Sequence, residues 1–447
     1  MTIFGLDIDF VNLRAEEIYT NNSRIPSSTN QFGTPLQDAM RRDFTVNSLF
    51  YNLRTRQVED YTKQGIIDLF QNGIIRTPVD PNQTFFDDPL RVLRAIRFGV
   101  RYNFTLHPDV RKAAMSHPIQ LALQQKVSRE RVGKELEGML TGKNACPSKA
   151  LQLVADLGLS ESVFPIPKDI SNYRLEIPGM DLQNGEDCSS EFWKNQWKIS
   201  PQIIDLLSSH VLPPFQELVQ SLHKRSDENL SYKSVSINIR MIHLSSHLLP
   251  FLPMKVFDKK GKEMSLPQWI LKEGIKFKNI DIQSIGDYGR NLQDIMTLLK
   301  TQFDSLEMDI SRLEAGLLLR NLKAEWFTAF ILATVSIIHQ FSSSGESYSS
   351  TVQKIVENSI NVCEQIIVQL NLNECWRMRP ILDGKKVIQR LSLPKGPIVG
   401  VYLEEQVRYM LQHPNTTLEE CEKHLLNTRR KRQLEGLDDI APSKNKR

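Results

Sequence analysis

Cysteine is scarce and badly placed for a disulfide framework or a zinc site. Five occur in 447 residues (Cys146, Cys188, Cys363, Cys375 and Cys421), none two residues from another and none in a Cys/His cluster with zinc spacing. They read as reduced thiols of an intracellular protein. No stretch approaches about 18 uninterrupted apolar residues, so no membrane span is expected. The opening MTIFGLDIDF has no basic apolar leader, so no secretory signal is expected either. Neither sign of charge dominates: 56 Lys+Arg against 52 Asp+Glu leave a formal +4. Such a balance argues for a nucleic-acid partner only if the positive charge is clustered. No internal repeat is visible. What is present, 40% hydrophobic and 24% charged residues, is the composition of a globular chain long enough for several cores.

The texture changes along the chain. Residues 1–62 look like α+β material: IDFVNL suits a strand, SRIPSSTNQFGTP a loop, and LQDAMRRDFTVNSLFYNL begins with a helical pattern. VEDYTKQGIIDLFQNG sets acidic residues beside glycines and short strand-like pieces. From Asp87 the character is helical, through PLRVLRAIRFGVRY, PDVRKAAM, SRERVGKELEGML and SKALQLVADLGL. The remainder is mostly helical in pattern, with loops near 163–190, 256–267 and 341–349. Breaks near 62, 145 and 290 fit these changes. The end, TRRKRQLEGLDDIAPSKNKR, is polar; its Arg429–Arg432 cluster reads as a solvated helix end or as a targeting or RNA-touching patch.

Two charged clusters carry chemistry. In TFFDDPLRVLRAIRFG, residues 84–99, Asp88 can cap a helix with Pro89 at its first position. Arg91, Arg94, Arg97 and Arg101 then fall on one side, with some angular drift, while Leu90, Leu93 and Ile96 drift along a neighbouring side with Val92 and Val100 and give the helix a face to bury. Asp88 and Arg91, three apart, face the same space. A carboxylate beside a guanidinium offers an acceptor and donors in fixed directions, as reading a base edge requires. The plainer reading is a capping aspartate and a solvated basic stripe. In DAMRRDFTVN, Arg41 and Arg42 could neutralise a triphosphate while Asp43 and Asn47 bond a sugar; the alternative is a helix end with ordinary ion pairs. Glu59, Asp60 and Asp68 orient arginines or cap turns. In SRERVGKELEGML, Arg131 and Glu135 are four apart and suit an intrahelical pair, on a helix able to brace the arginine helix.

Taken in order, IDFVNLRAEEIY, SRIP, GTPLQDAMRRDFTVNSLFYN, VEDYTKQGIIDL, RTPVDP, TFFDDPLRVLRAIRF and SRERVGKELEGML resemble the eukaryotic, particularly fungal, CCA-adding enzymes. These are ATP(CTP):tRNA nucleotidyltransferases of the class that includes the bacterial poly(A) polymerases. The segments cover about the first 145 residues, with a weaker echo in RPILDGKKVIQRLSLPKGPIVG. The resemblance implies an α+β chain: part of a polymerase-β-like head sheet in 1–62, a helical neck in 63–145, a helical body in 146–290 and a tRNA-binding helical tail in 291–447. It implies that Arg41, Arg42, Asp43 and Asn47 contact the ribose and triphosphate, that Asp88 and Arg91 read cytosine or adenine, and that Arg94 and Arg97 face phosphates. The Glu59–Gly65 segment corresponds to a flexible part between head and neck. The implied substrates are CTP, ATP and the tRNA 3′ end, and the implied ion is magnesium. The implied compartment is cytoplasm or nucleus, with mitochondria reached through an alternative start.

The chain also departs from the resemblance. Family members carry a Gly-Gly segment and a metal-binding Asp-x-Asp pair upstream of the strand that corresponds to IDFVNLR, and neither is found near residue 1. Asp7 and Asp9 form an Asp-x-Asp pair and on a strand would share a face, but Asp9 corresponds to the later strand. No catalytic carboxylate is therefore assigned. A tRNA-binding homologue lacking the metal-binding pair is the alternative to an enzyme, and residues 1–14 are expected to leave an unpaired edge or uncovered apolar face.

Overall fold

The structure, a computed structural model, describes residues 1–14, 32–167, 173–178, 190–225, 230–303, 310–341 and 348–435. AEEIY and SRIP, Cys188, much of the loops near 163–190 and 341–349, and the last twelve residues lie outside these. The chain divides into two compact units, Met1–Ser208 with Ile239–Gly286, and Ser209–Asn238 with Asp287–Arg447. The expected breaks at 62 and 145 fall inside the first unit.

The first unit opens with a small hairpin, Thr2–Ile3 against Leu6–Asp7. IDFVNL, expected to be a strand, forms none; Arg14 makes only an isolated bridge to Phe32. A second antiparallel hairpin pairs Leu49–Asn52 with Gln57–Asp60. Two-stranded hairpins bury little by themselves. Here Phe4, Leu6, Phe10 and Val11 are exposed, apolar surface of the kind expected of residues 1–14, and so are Tyr51, Leu53 and Val58 of the second hairpin. Amides of 1–14 should exchange with solvent near free-peptide rates, which hydrogen-exchange mass spectrometry measures.

Helices fill the rest of this unit. The arginine helix, Leu90–Tyr102, buries Leu90, Val92, Leu93, Ala95, Ile96 and Gly99, and ends at Asn103 in the left-handed conformation. Its closest helical neighbour in packing is the brace helix, Arg129–Leu140. At Gly138 a Cβ would come within 2.7 Å of Arg97 Cδ, so a larger residue there would displace the Arg97 side chain. Arg129 anchors the brace from below. Its guanidinium donates to the carbonyls of Ser162 (3.0 Å), Val163 (2.5 Å) and Gly274, and burial pulls its pKa down to about 10. Arg240 adds a second anchor, bonded to Glu137 at 2.7 Å and to both oxygens of Asp281 at 2.7 and 3.0 Å. The segments expected to be loops near 163–190 and 256–267 supply a three-stranded antiparallel sheet, Tyr173–Glu176, Lys255–Asp258 and Glu263–Ser265.

The second unit is built around Trp326–Phe341, buried from Trp326 through Ile338. The stretch Arg312–Phe341 is long and apolar enough to cross a membrane, but 78% of its most apolar window is buried inside the protein. It is thus satisfied as a core helix. A satellite core joins Leu382, Val387, Tyr402 and Leu425 under the last helices, Ile398–Gln412 and Leu418–Leu434. Cys146, Cys363, Cys375 and Cys421 carry free thiols, and burial pushes the Cys375 thiol up to about 11.

Candidate functional site

The helix Pro35–Met40 begins at Thr34 with a reciprocal cap: Thr34 Oγ1 accepts from Gln37 N–H, and Gln37 Oε1 accepts from Thr34 N–H. Asp38, in its first turn, is almost wholly buried. It takes Arg42 Nε at 3.0 Å and Nη2 at 2.8 Å on one oxygen, and Arg41 with the Arg14 N–H on the other. Burial alone would raise its pKa; the hydrogen bonds from Arg42 and Arg41 outweigh that and hold it below the ordinary value. Asp38 had no functional reading in the sequence, although its spacing of three and four from the two arginines is the signal that could have found it.

Next along the chain, Asp43 is buried and bonded through both oxygens. Its Oδ1 accepts from the Phe44 N–H at 2.9 Å and Asn47 Nδ2 at 3.2 Å; its Oδ2 accepts from Arg94 Nε at 2.7 Å. Arg94 therefore reaches across from the arginine helix to the 43–47 turn. Burial disfavours its charge, but Asp43, with smaller help from Glu135 and Asp88, more than compensates and raises its pKa. Asp68, fully buried, accepts from Thr45 Oγ1 at 2.8 Å and Arg76 Nε at 3.1 Å, and steadies the same turn. Asp60 instead caps, accepting from the Thr62 and Ile66 N–H groups. Gly65 sits where a Cβ would come within 2.6 Å of the Thr45 carbonyl oxygen, so the turn requires glycine.

Asp88 lies one residue earlier relative to its helix than expected. It closes the helix Pro81–Asp87, and Pro89 is the cap of Leu90–Tyr102, although Asp88 Oδ1 still accepts from the Leu90 N–H at 3.3 Å. Arg91 Nη2 donates to the Arg41 carbonyl at 2.8 Å. Arg42, Asp43, Asn47, Asp88, Arg91, Arg94 and Phe98 together line an open cavity of about 520 Å³. That volume suits a small organic ligand. Six of the eight expected site residues thus meet in one place.

Two do not. Arg41 is not among the lining residues; it is drawn onto Asp38. Arg97 turns away, its Nε donating to Glu135 Oε2 at 2.6 Å, with its guanidinium 4.4 Å from the Phe98 ring centre. The expected Arg131–Glu135 pair on the brace helix does not form. Glu135 is taken by Arg97 and, at 3.7 Å, by Arg94, while Arg131 Nη2 donates to Asp88 Oδ2 at 2.9 Å. Phe98, not expected at the site, supplies its apolar wall.

No residue is assigned to the magnesium the resemblance implies. Among the described residues no cluster of three His, Cys, Asp or Glu is placed to hold a metal ion. Asp7 is exposed and accepts from Thr2 Oγ1 at 2.6 Å; Asp9 is exposed and outside the strand.

Residues 3–76 match the Poly A polymerase head domain family. The chain is 35% identical over 435 residues to the mitochondrial CCA tRNA nucleotidyltransferase of Saccharomyces cerevisiae, covering 95% of this chain and 74% of that protein. It is 32% identical to a tRNA nucleotidyltransferase of Schizosaccharomyces pombe, covering 95% and 77%. The chain belongs to the CCA tRNA nucleotidyltransferase family. Its fold is like that of the Bacillus stearothermophilus CCA-adding enzyme solved in complex with CTP, at TM-score 0.50 and 18% identity, over 90% of this chain and 77% of that one.

Proposed function

We propose that this chain extends the 3′ end of tRNA with CCA, using CTP and ATP and releasing pyrophosphate, and that the incoming nucleotide occupies the Asp88–Arg91 cavity. The observation that carries the reading is an acceptor and a donor, Asp88 and Arg91, lining one cleft together with the Asp43–Asn47–Arg94 group. Cytosine and adenine share one pattern on their pairing edge, an exocyclic amino donor next to a ring-nitrogen acceptor. Uracil and guanine present a carbonyl acceptor next to a ring N–H donor. A carboxylate that only accepts and a guanidinium that only donates match the first pair and oppose the second. One fixed site can therefore serve two bases of different size.

The remaining polar lining residues suit the rest of the nucleotide. Asn47 and Asp43 offer a donor and an acceptor to ribose hydroxyls. Arg42 commits its Nε, Nη1 and Nη2 to Asp38 and the Asn47 carbonyl, which leaves two of its five N–H donors for phosphate oxygens. The tRNA 3′-oxygen bonds to the α-phosphorus as the bond from that phosphorus to the bridging oxygen of pyrophosphate breaks. Magnesium belongs to this reading as an expectation of the resemblance, and no described residue is assigned as its ligand. The helices of 291–447, with the Arg429–Arg432 cluster on Leu418–Leu434, are proposed to hold tRNA by shape and phosphate contacts. A mitochondrial pool is part of the proposal, alongside cytoplasm or nucleus.

The test is a tRNA lacking its terminal CCA, incubated with CTP, ATP and magnesium. Extension by three nucleotides is expected. Tight tRNA binding with no extension overturns the enzymatic reading.

A further inference from the structure

We propose that Arg131, on the brace helix, is a positioning residue for base selection: it holds the Asp88 carboxylate apart from Arg91, so that acceptor and donor both stay open to the nucleobase. The inference rests on the nucleotide reading of the cavity. Asp88 stands at the break between two helices, where only the Leu90 N–H, at 3.3 Å, restrains one of its oxygens from its own chain segment. Arg131 Nη2 grips the other oxygen at 2.9 Å. Two restraints on opposite oxygens fix the plane of the carboxylate and leave each oxygen a lone pair.

Without that grip the carboxylate has closer temptations. Arg91 is three residues on and lines the same cavity, and Arg94 already feels the charge of Asp88. Collapse of Asp88 onto either guanidinium would consume the acceptor, and collapse onto Arg91 the donor as well. Arg91 is held from the opposite side by the Arg41 carbonyl at 2.8 Å. Each member of the pair thus has its own anchor, on different elements. Arg131 does not line the cavity, and its side chain is 47% exposed. It acts through Asp88, and its loss should not unfold the helix.

The experiment is equilibrium displacement of a fluorescent CTP analogue by CTP, UTP and inorganic triphosphate, with thermal unfolding of each variant as a fold check. In Arg131→Gln the CTP-over-UTP preference is expected to fall about tenfold, with triphosphate affinity within about twofold of wild type, and Arg131→Lys is expected to restore most of the preference. If Asp88→Ala loses the preference while Arg131→Gln keeps it, or if Arg131→Gln weakens all three ligands alike, the positioning role is overturned and the cavity reading stands. If wild type shows no preference, or Asp88→Ala leaves it intact, the cavity reading itself fails and takes this role with it.

Discussion

Asp88→Ala should cut the preference for CTP and ATP over UTP and GTP by about 10- to 100-fold, the discrimination one well-placed pair of base contacts supplies. Affinity for inorganic triphosphate should not fall, because Asp88 makes no hydrogen bond to Asp43, Asn47 or Arg94, and its charge, which Arg94 feels, opposes that of the phosphates. The asymmetry has a sharper form in Asp88→Asn. An amide is close to isosteric with the carboxylate but presents one acceptor and two donors. Turned with its nitrogen toward the base, it would meet the carbonyl of uracil, so relative use of UTP should rise above that of the alanine variant. Arg91→Ala removes the donor to the ring nitrogen that cytosine and adenine share, and should penalise both together. Competition between nucleotide pairs in one reaction reads these ratios directly. A variant that slows every nucleotide equally, with the ratios of wild type, would remove Asp88 from base reading.

Much of this site was legible before any coordinates, and the reason is local. Asp88 and Arg91 are three apart at a helix start, and Arg42, Asp43 and Asn47 lie within six residues. Pattern reading works where geometry follows from near neighbours. Arg97 shows where it stops. At 3.6 residues per turn, each step of three falls about 60° short of a full turn, so a stripe of arginines at that spacing winds around the helix. By Arg97 it has moved about 120° from Arg91 and meets Glu135 on the brace helix. The Arg131–Glu135 pair failed for a related reason: each residue found a partner on another element, at 2.9 and 2.6 Å, which outbid a flexible pair on the helix surface. The sheet formed by Tyr173–Glu176 and Lys255–Asp258 was hidden because its strands are four residues long and some eighty residues apart, with no local periodicity to betray them. IDFVNL is the converse case, a strand-like pattern with no strand paired to it among the described residues.

Asp38→Asn should be the most damaging change that leaves every cavity-lining residue in place. The wild-type carboxylate, its side chain only 3% exposed, is the shared counter-ion of Arg41 and Arg42. An amide keeps the shape but loses the charge, and must turn at least one N–H toward a guanidinium. The two arginines are 22% and 36% exposed, so water recovers part of the loss; the net cost is about 2 kcal/mol. Expressed locally, that is roughly a thirtyfold acceleration of amide exchange through the 35–60 segment. Arg42 would also lose its fixed aim into the cavity, so affinity for CTP, ATP, UTP and inorganic triphosphate should fall together, with base preference intact. This is the reverse of the Asp88 signature, and the two variants measured side by side separate the two parts of the site. The pH dependence gives an independent check. Because the folded-state pKa of Asp38 lies below its unfolded value, its contribution is complete above the ordinary aspartate range and is lost as pH falls through the lowered pKa. Wild type should therefore lose protection of this segment on acidification below about pH 4, whereas Asp38→Asn, already lacking the charge, should show a flatter profile. Equal slopes in the two proteins would mean that Asp38 is not the charge on which this part of the fold depends.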